Sequence, residues 1–588
     1  MRKTLLSALA VVVLLCTSST CPAQPSPGED QRPVLTVSIS GYNALTEDLD
    51  YIGKLADNPG LGQMLEASLT LFTQGQGLAG LDKAKPWGAV LNMGQPDPWA
   101  LCVFVPVTDL QQLLTVLAPM IGEAKDAGNG VFKVQKDGPP EGMMPLAIPP
   151  LYIKEANGYA LVAMSAETLA NAPADPLKAL GGLNERYDVA VRASIQSIPA
   201  PMRQTALETL KMGAEMGMRQ MPDEGDEEYA IRTGIAKRGI QQFITMANDL
   251  DEVLLGWTLD GSTGSSHLDF EITAVAGSKT AAQFAEMKEG TTNFAGFDLP
   301  GAAISGNWTG TLSDSDVAQA KDSISQIRTT AIKELGNEGL SDQQRKLATQ
   351  LLEDLFYVLE KTLENKEADG GIVVLLGGPG DVTAVAGGLV VETAKLDSVI
   401  QQLAGELTKE EPAFAQLLKL GAETHKGIRF HTLDVPVEDE EGAKVFGDTL
   451  HIVAGLGDKE AYLAVGSKAA ETLKQVIDKS KADPGKSVPP MRLVVTTTPI
   501  LKFVAAVAEE GDLGTAMAAK LAEELAKAGG KDRVILTVKP IPNGSSTRLE
   551  FEEGVLKMFG MGVKQGMQQG MQGPGMPGGA MPADDDPF

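Results

Sequence analysis

The chain has few of the residues that most often carry chemistry: three cysteines, four histidines and four tryptophans among 588 residues. Cys16 and Cys21 lie in the first 23 residues, so a chain processed there retains Cys102 alone. That excludes an intramolecular disulfide and points to Cys102, inside WALCVFVPV, as a small core residue. Aromatic residues make up 5% of the chain, so its cores are expected to be built from Val, Leu, Ile and Ala. Basic residues are also scarce, 50 against 77 acidic ones, for a formal net charge of −27. Such a surface repels nucleic acid and anionic headgroups, and its simplest role is solubility. No Walker A, H-E-x-x-H, G-x-S-x-G, C-x-x-C or S-x-x-K string occurs. The signatures of the common phosphate-binding, metal and nucleophile-dependent sites are therefore missing.

Long apolar runs are scarce too. The best internal one, GGIVVLLGGPGDVTAVAGGLVV (370–391), is interrupted by Gly377-Gly378-Pro379-Gly380-Asp381. Turn residues between two β-branched runs predict a buried β-hairpin rather than a membrane span. The other run is N-terminal. Arg2 and Lys3 precede an apolar stretch from Leu5 to Leu15, and Cys21-Pro22-Ala23 resembles a cleavage site. This is the grammar of a secretory signal over residues 1–23 and implies an exported protein, periplasmic or extracellular. Lipid attachment at Cys16 or Cys21 is less favoured, because Leu15 and Thr20 stand where a lipobox wants Gly or Ala.

A length of 588 residues exceeds one hydrophobic core, and short segments recur in the same order along the chain. VSISGYNALTEDLDYIGKL (37–55) is answered by ISGNWTGTLSDSDVAQAKDSI (304–324), and each precedes paired strands and an amphipathic helix. Tyr159 answers Tyr462, Ala166-Glu167-Thr168-Leu169 answers Ala470-Glu471-Thr472-Leu473, and Pro199 answers Pro499. Val253, Leu255, Leu268 and Phe270 align without gaps on Val534, Leu536, Leu549 and Phe551. These correspondences predict two copies of one unit, at 33–290 and 298–563, with a Gly/Met/Pro-rich disordered tail at 564–588. Short Gly/Asp/Asn turns between strands predict antiparallel pairing, and hence an α+β fold: a mainly antiparallel sheet with helices on one face. Two such units joined edge to edge would protect strand edges that otherwise invite aggregation. Proline-rich 136–150, its acidic counterpart 436–447, and the acidic end of 212–228 are expected as loops.

Each remaining pattern has a plainer explanation. GQGLAG (75–80) satisfies G-x-G-x-x-G, but a helical pattern precedes it, whereas a dinucleotide site needs a strand there. His431 and His451 fall on strands that are expected to be neighbours, a geometry that suits a transition metal, but no third ligand is spaced with them. His267 and His425 stand apart. Met212, Met216, Met218 and Met221, with Met558, Met561, Met567, Met571, Met576 and Met581, offer soft thioethers for Cu(I). Methionine serves more often as an adaptable apolar residue. The acidic run 223–228 lacks calcium-loop spacing. Catalytic, cofactor-binding and metal residues are accordingly assigned to none.

At GYNALTEDLDYIGKLADNPGLGQMLE (41–66) and PWALCVFVPVTDLQQLL the chain resembles large exported repeat proteins of planctomycete-type bacteria, a family of unknown function. The resemblance implies a compartment and a lineage and carries no site. The expected function is a non-enzymatic binding or structural role in the envelope or periplasm, toward a protein, a lipid or a wall polymer. The alternatives are a hydrolase using paired carboxylates and a carrier of an apolar ligand.

Overall fold

The computed structural model describes residues 32–55, 58–94, 99–135, 149–220, 225–337, 341–410, 412–507, 513–526 and 529–561. The expected signal segment, the 136–148 loop and the 564–588 tail lie outside the described residues.

Alternating Val/Leu/Thr runs bounded by Gly, Asn and Asp turns form the strands. The first half contributes β1 (Leu35–Ile39), β2 (Trp87–Asn92), β3 (Ala100–Pro106), β4 (Ala124–Asp126), β5 (Val131–Val134), β6 (Leu151–Ala156), β7 (Tyr159–Ala163), β8 (Val189–Ser194), β9 (Leu250–Asp260) and β10 (Ser265–Ala274). After the short β11 (Gly290–Thr292), the second half contributes β12 (Ile304–Thr311), β13 (Glu367–Leu376), β14 (Val382–Leu389), β15 (Leu418–His425), β16 (Ile428–Pro436), β17 (Thr449–Leu456) and β18 (Glu460–Gly466). It ends with β19 (Lys486–Val488), β20 (Met491–Thr496), β21 (Arg533–Ile541) and β22 (Gly544–Glu552).

Twenty of these strands form one antiparallel sheet, and β11 pairs β19 separately. From its outer edge inward the first half runs β4-β5-β6-β7-β3-β2-β1-β8-β9-β10. The second half runs β15-β16-β17-β18-β14-β13-β12-β20-β21-β22. The same order of connections is traced twice, and the halves join edge to edge where β10 pairs β22. Leu268 lies opposite Leu549, with Phe270 opposite Thr547 on one side and Ser266 opposite Phe551 on the other. Because Phe270 and Phe551 occupy corresponding positions, the joint has an approximate two-fold centred on the two leucines.

The fold is α+β, and its helices reach further than a single face. In the first half, Leu110, Leu113 and Leu114 of the helix Leu110–Ile121 pack with Val134, Ile153 and Ala160. On the opposite face Leu169 and Leu180, from two short helices, pack with Cys102, Phe104 and Leu161. Gly88 makes room there, since a Cβ would sit 2.3 Å from the Leu180 side chain. In the second half Leu473, Val476 and Ile477 of the helix Ala469–Ala482 meet Val385, Phe430 and Ala464. The other face receives the helix Thr393–Glu410, whose Asp397 reaches His431.

Two expected loops contain helix. Asp439 accepts a hydrogen bond from the Gly442 N–H and caps Glu440–Phe446. The helix Asp226–Asp249 begins within the acidic stretch expected as loop. Among the described residues no helix is long and apolar enough to cross a membrane.

Candidate functional site

Directly opposed residues in a sheet share a face, so the strand registers show what each face presents. One register row crosses the joint as Val191, Leu255, Phe270, Thr547, Val538, Met491 and Trp308. The next runs Val189, Trp257, Leu268, Leu549, Leu536, Leu493, Gly306, Ile372 and Ala386. A third holds Phe551, Val534, Val495, Ile304 and Val374. These rows are almost wholly apolar, and none of their side chains is fully buried. Leu255, Phe270, Met491 and Trp308 stay 38–41% exposed. The opposite face carries the more polar residues and is closed in places: Asp269 and Ser305 and, on β1, Thr36 and Ser38 are each at most 5% exposed, whereas Arg492, Thr537 and Arg548 reach solvent. The central sheet thus leaves much of its apolar face partly open, while the mixed face is closed at Asp269, Ser305 and Val494.

A polar cluster lies on the closed face at the joint. Asp269 of β10 lies opposite Arg548 of β22 and accepts from its Nε and Nη2 at 2.7 Å each. The Tyr187 hydroxyl donates to Asp269 at 3.1 Å, and Arg186 donates to Tyr187 at 2.7 Å and to Glu271 at 2.6 Å. Gly256 lets the Tyr187 ring lie flat on the sheet, since a Cβ there would come within 2.5 Å of it. Burial alone would raise the Asp269 pKa, but hydrogen bonds and charge from Arg548 outweigh it and hold the group below the usual carboxylate range. Across the two-fold, His267 lies opposite Glu550. Burial and then the Arg548 charge lower its pKa, and Asp269 is 3.9 Å away. The Arg548–Asp269 pair ties the two halves together across the joint.

The sequence candidates disperse. Asp434, not His431, lies opposite His451, and His431 lies opposite Ala454, so the two histidines point to opposite faces. The expected neighbouring pair on one face is therefore not formed. His431 is 4% exposed, its Nδ1 accepts from the Gly421 N–H at 3.3 Å, and its Nε2 lies 2.9 Å from Asp397. The Nε2 and the Asp397 Oδ1 lie close without hydrogen-bond geometry, and Arg429 and Gln401 hold Asp397 through its Oδ2. His451 meets Asp434 at 2.7 Å and His425 meets Asp478 at 2.8 Å. Among the described residues no group of three His, Cys, Asp or Glu is placed to hold a metal. Met212 and Met216 are over half exposed on the helix Ala200–Gly217, whereas Met218 is buried beyond its end. Met221, Met567, Met571, Met576 and Met581 lie outside the described residues.

Cys102 is 2% exposed, and burial pushes its thiol up to about 12. The GQGLAG string is a loop with Gly75, Gly77 and Gly80 at positive φ. Gly80 presses on the first turn of the helix Leu110–Ile121, where a Cβ would meet the Leu113 N at 2.5 Å.

Carboxylate chemistry comes nearest at Asp48, on the helix Tyr42–Leu55. Burial, then the negative charges of Asp188 and Glu47, raise it to about 7. Its Oδ2 is shut from solvent without a hydrogen-bond partner, while Asp188 accepts from the Leu259 N–H at 2.8 Å. Sequence reading could not pair Asp269 with Arg548, because they meet only through sheet order. Comparison with known proteins finds no matching family model, no matching curated protein and no matching solved structure.

Proposed function

We propose that this is an exported, non-enzymatic binding protein whose open sheet face receives an apolar partner, a lipid chain or an apolar protein surface. One observation carries the reading: two adjacent apolar rows cross the joint without one fully buried side chain, and a third apolar row continues beside them through the second half. Strands lie about 4.8 Å apart, so the six from β9 to β12 span about 24 Å, enough for a long acyl chain. Exposed apolar surface on this scale marks a binding site or an assembly face. A wall polymer, rich in hydroxyls, would find few partners on these rows. Carrier of an apolar ligand thereby moves ahead of a carboxylate-dependent hydrolase.

The two halves as diverged copies of one unit are part of this proposal, supported by the shared strand order and the two-fold register at Leu268 and Leu549. Descent shared with exported planctomycete-type repeat proteins is likewise proposed from the sequence resemblance. The test of binding is titration with a dye that fluoresces in apolar surroundings, against a Leu255→Glu/Phe270→Glu variant. Saturable binding that is lost in the variant supports the reading, and equal binding by both proteins overturns it. Export is tested by sequencing the mature N-terminus from the native host. A start near Gln24 is expected, and intact Met1 or a lipidated Cys16 or Cys21 contradicts it.

A further inference from the structure

The described chain ends beside the open apolar face. After β22 the helix 553–561 buries Val555 and Leu556, and its Lys557 Nζ lies 2.7 Å from Glu524 of the helix Leu513–Ala526. The Phe559 ring sets its edge against Phe551, the β22 member of the third apolar row, with centroids 5.8 Å apart. Phe559 is itself 48% exposed, so the open apolar surface runs on from the sheet onto the last described turn. Met561 closes that turn.

Residues 562–588 follow from that point, and their chemistry is one-sided. From Gln565 to Ala583 the sequence has no charge, and its large apolar side chains are Met567, Met571, Met576 and Met581, set among Gly, Gln and Pro. Four methionines so spaced do not make a core of their own. Methionine does adapt to irregular apolar surfaces without a prepared pocket. Reach is sufficient. β22 is the third of the six strands from β9 to β12, so the rows extend no more than about 15 Å across the sheet from it. A Gly-rich chain of the length between Met561 and Met576 has a root-mean-square span of about 21 Å.

We propose that the methionine-rich segment 562–588 folds back onto the open sheet face and competes there with the apolar partner. The inference rests on the reading of that face as a binding surface and adds its regulation. Tethered at the rim, the segment acts at an effective concentration of about a millimolar, so even weak thioether contacts keep the rows covered. An apolar partner must displace the methionines to bind, which sets a threshold of affinity or concentration for occupancy. A face covered about four-fifths of the time binds its partner about fivefold more weakly than a bare one.

The test is Met567→Gln/Met571→Gln/Met576→Gln/Met581→Gln in the full chain, a variant that alters no described strand or helix. Collisional quenching by acrylamide reads the free protein, because Trp257 and Trp308 lie on the open face. Tryptophan quenching should rise in the variant, and the rise should shrink when Trp308→Phe is added. Titration with a dye that fluoresces in apolar surroundings should then show binding about fivefold tighter in the variant than in the wild type. Equal acrylamide quenching in the two proteins overturns the fold-back, whatever the dye does. Higher quenching in the variant with no dye binding by either protein upholds the fold-back and overturns the partner reading. A wild-type dimer in sedimentation that is lost in Leu255→Glu/Phe270→Glu assigns the face to a second copy and overturns the fold-back.

Discussion

The two faces of the central strands come from the same residues read at odd and even positions, yet they are treated in opposite ways. On the closed face, Ala190, Leu254, Asp269, Ser305 and Val494 are buried, and a salt bridge crosses the joint. On the open face, Leu255, Phe270, Met491 and Trp308 meet solvent. Toward the outer strands the contrast fades, because the helices Leu110–Ile121 and Thr393–Glu410 cover the same face there. Stability is thus concentrated on one face and in the outer strands, while the apolar rows in the middle of the other face stay partly exposed.

Substitutions should sharpen that contrast. Phe104 is fully buried in the closed-face core, so Phe104→Ala should cost about 3–5 kcal/mol in denaturant unfolding. Arg548→Ala strands the Asp269 charge in a buried position and should cost about 3 kcal/mol or more. If each of these costs under about 1 kcal/mol, the closed face is not where stability lies. Leu255→Asn and Met491→Asn, on the open face, should stay within about 1 kcal/mol in the free protein, as surface changes do. A loss comparable with Phe104→Ala would mean that the open face is a core in solution.

The class of fold was legible because alternation and turn residues act locally. The joint was half legible: aligning Leu268 with Leu549 locates the repeat, and pairing β10 with β22 turns that alignment into a contact. Alternation also identifies Leu255, Trp257 and Phe270 as one apolar face. It does not say whether a helix lands on that face, which depends on where connections of many residues come to rest. The histidines show the same limit. Only the register that sets His451 opposite Asp434 reveals that His431 and His451 point apart.

Trp308 gives the open face its own reporter, since it is 39% exposed at one end of the apolar row that holds Leu255 and Phe270. The most direct test is quenching of tryptophan fluorescence by a long-chain fatty acid brominated on its chain, compared between the wild type and Trp308→Phe. The account predicts saturable quenching in the wild type, a smaller quenched fraction in Trp308→Phe, and none in Leu255→Glu/Phe270→Glu. Absence of saturable quenching in the wild type, or quenching of equal size in all three proteins, would contradict an apolar ligand seated on this face.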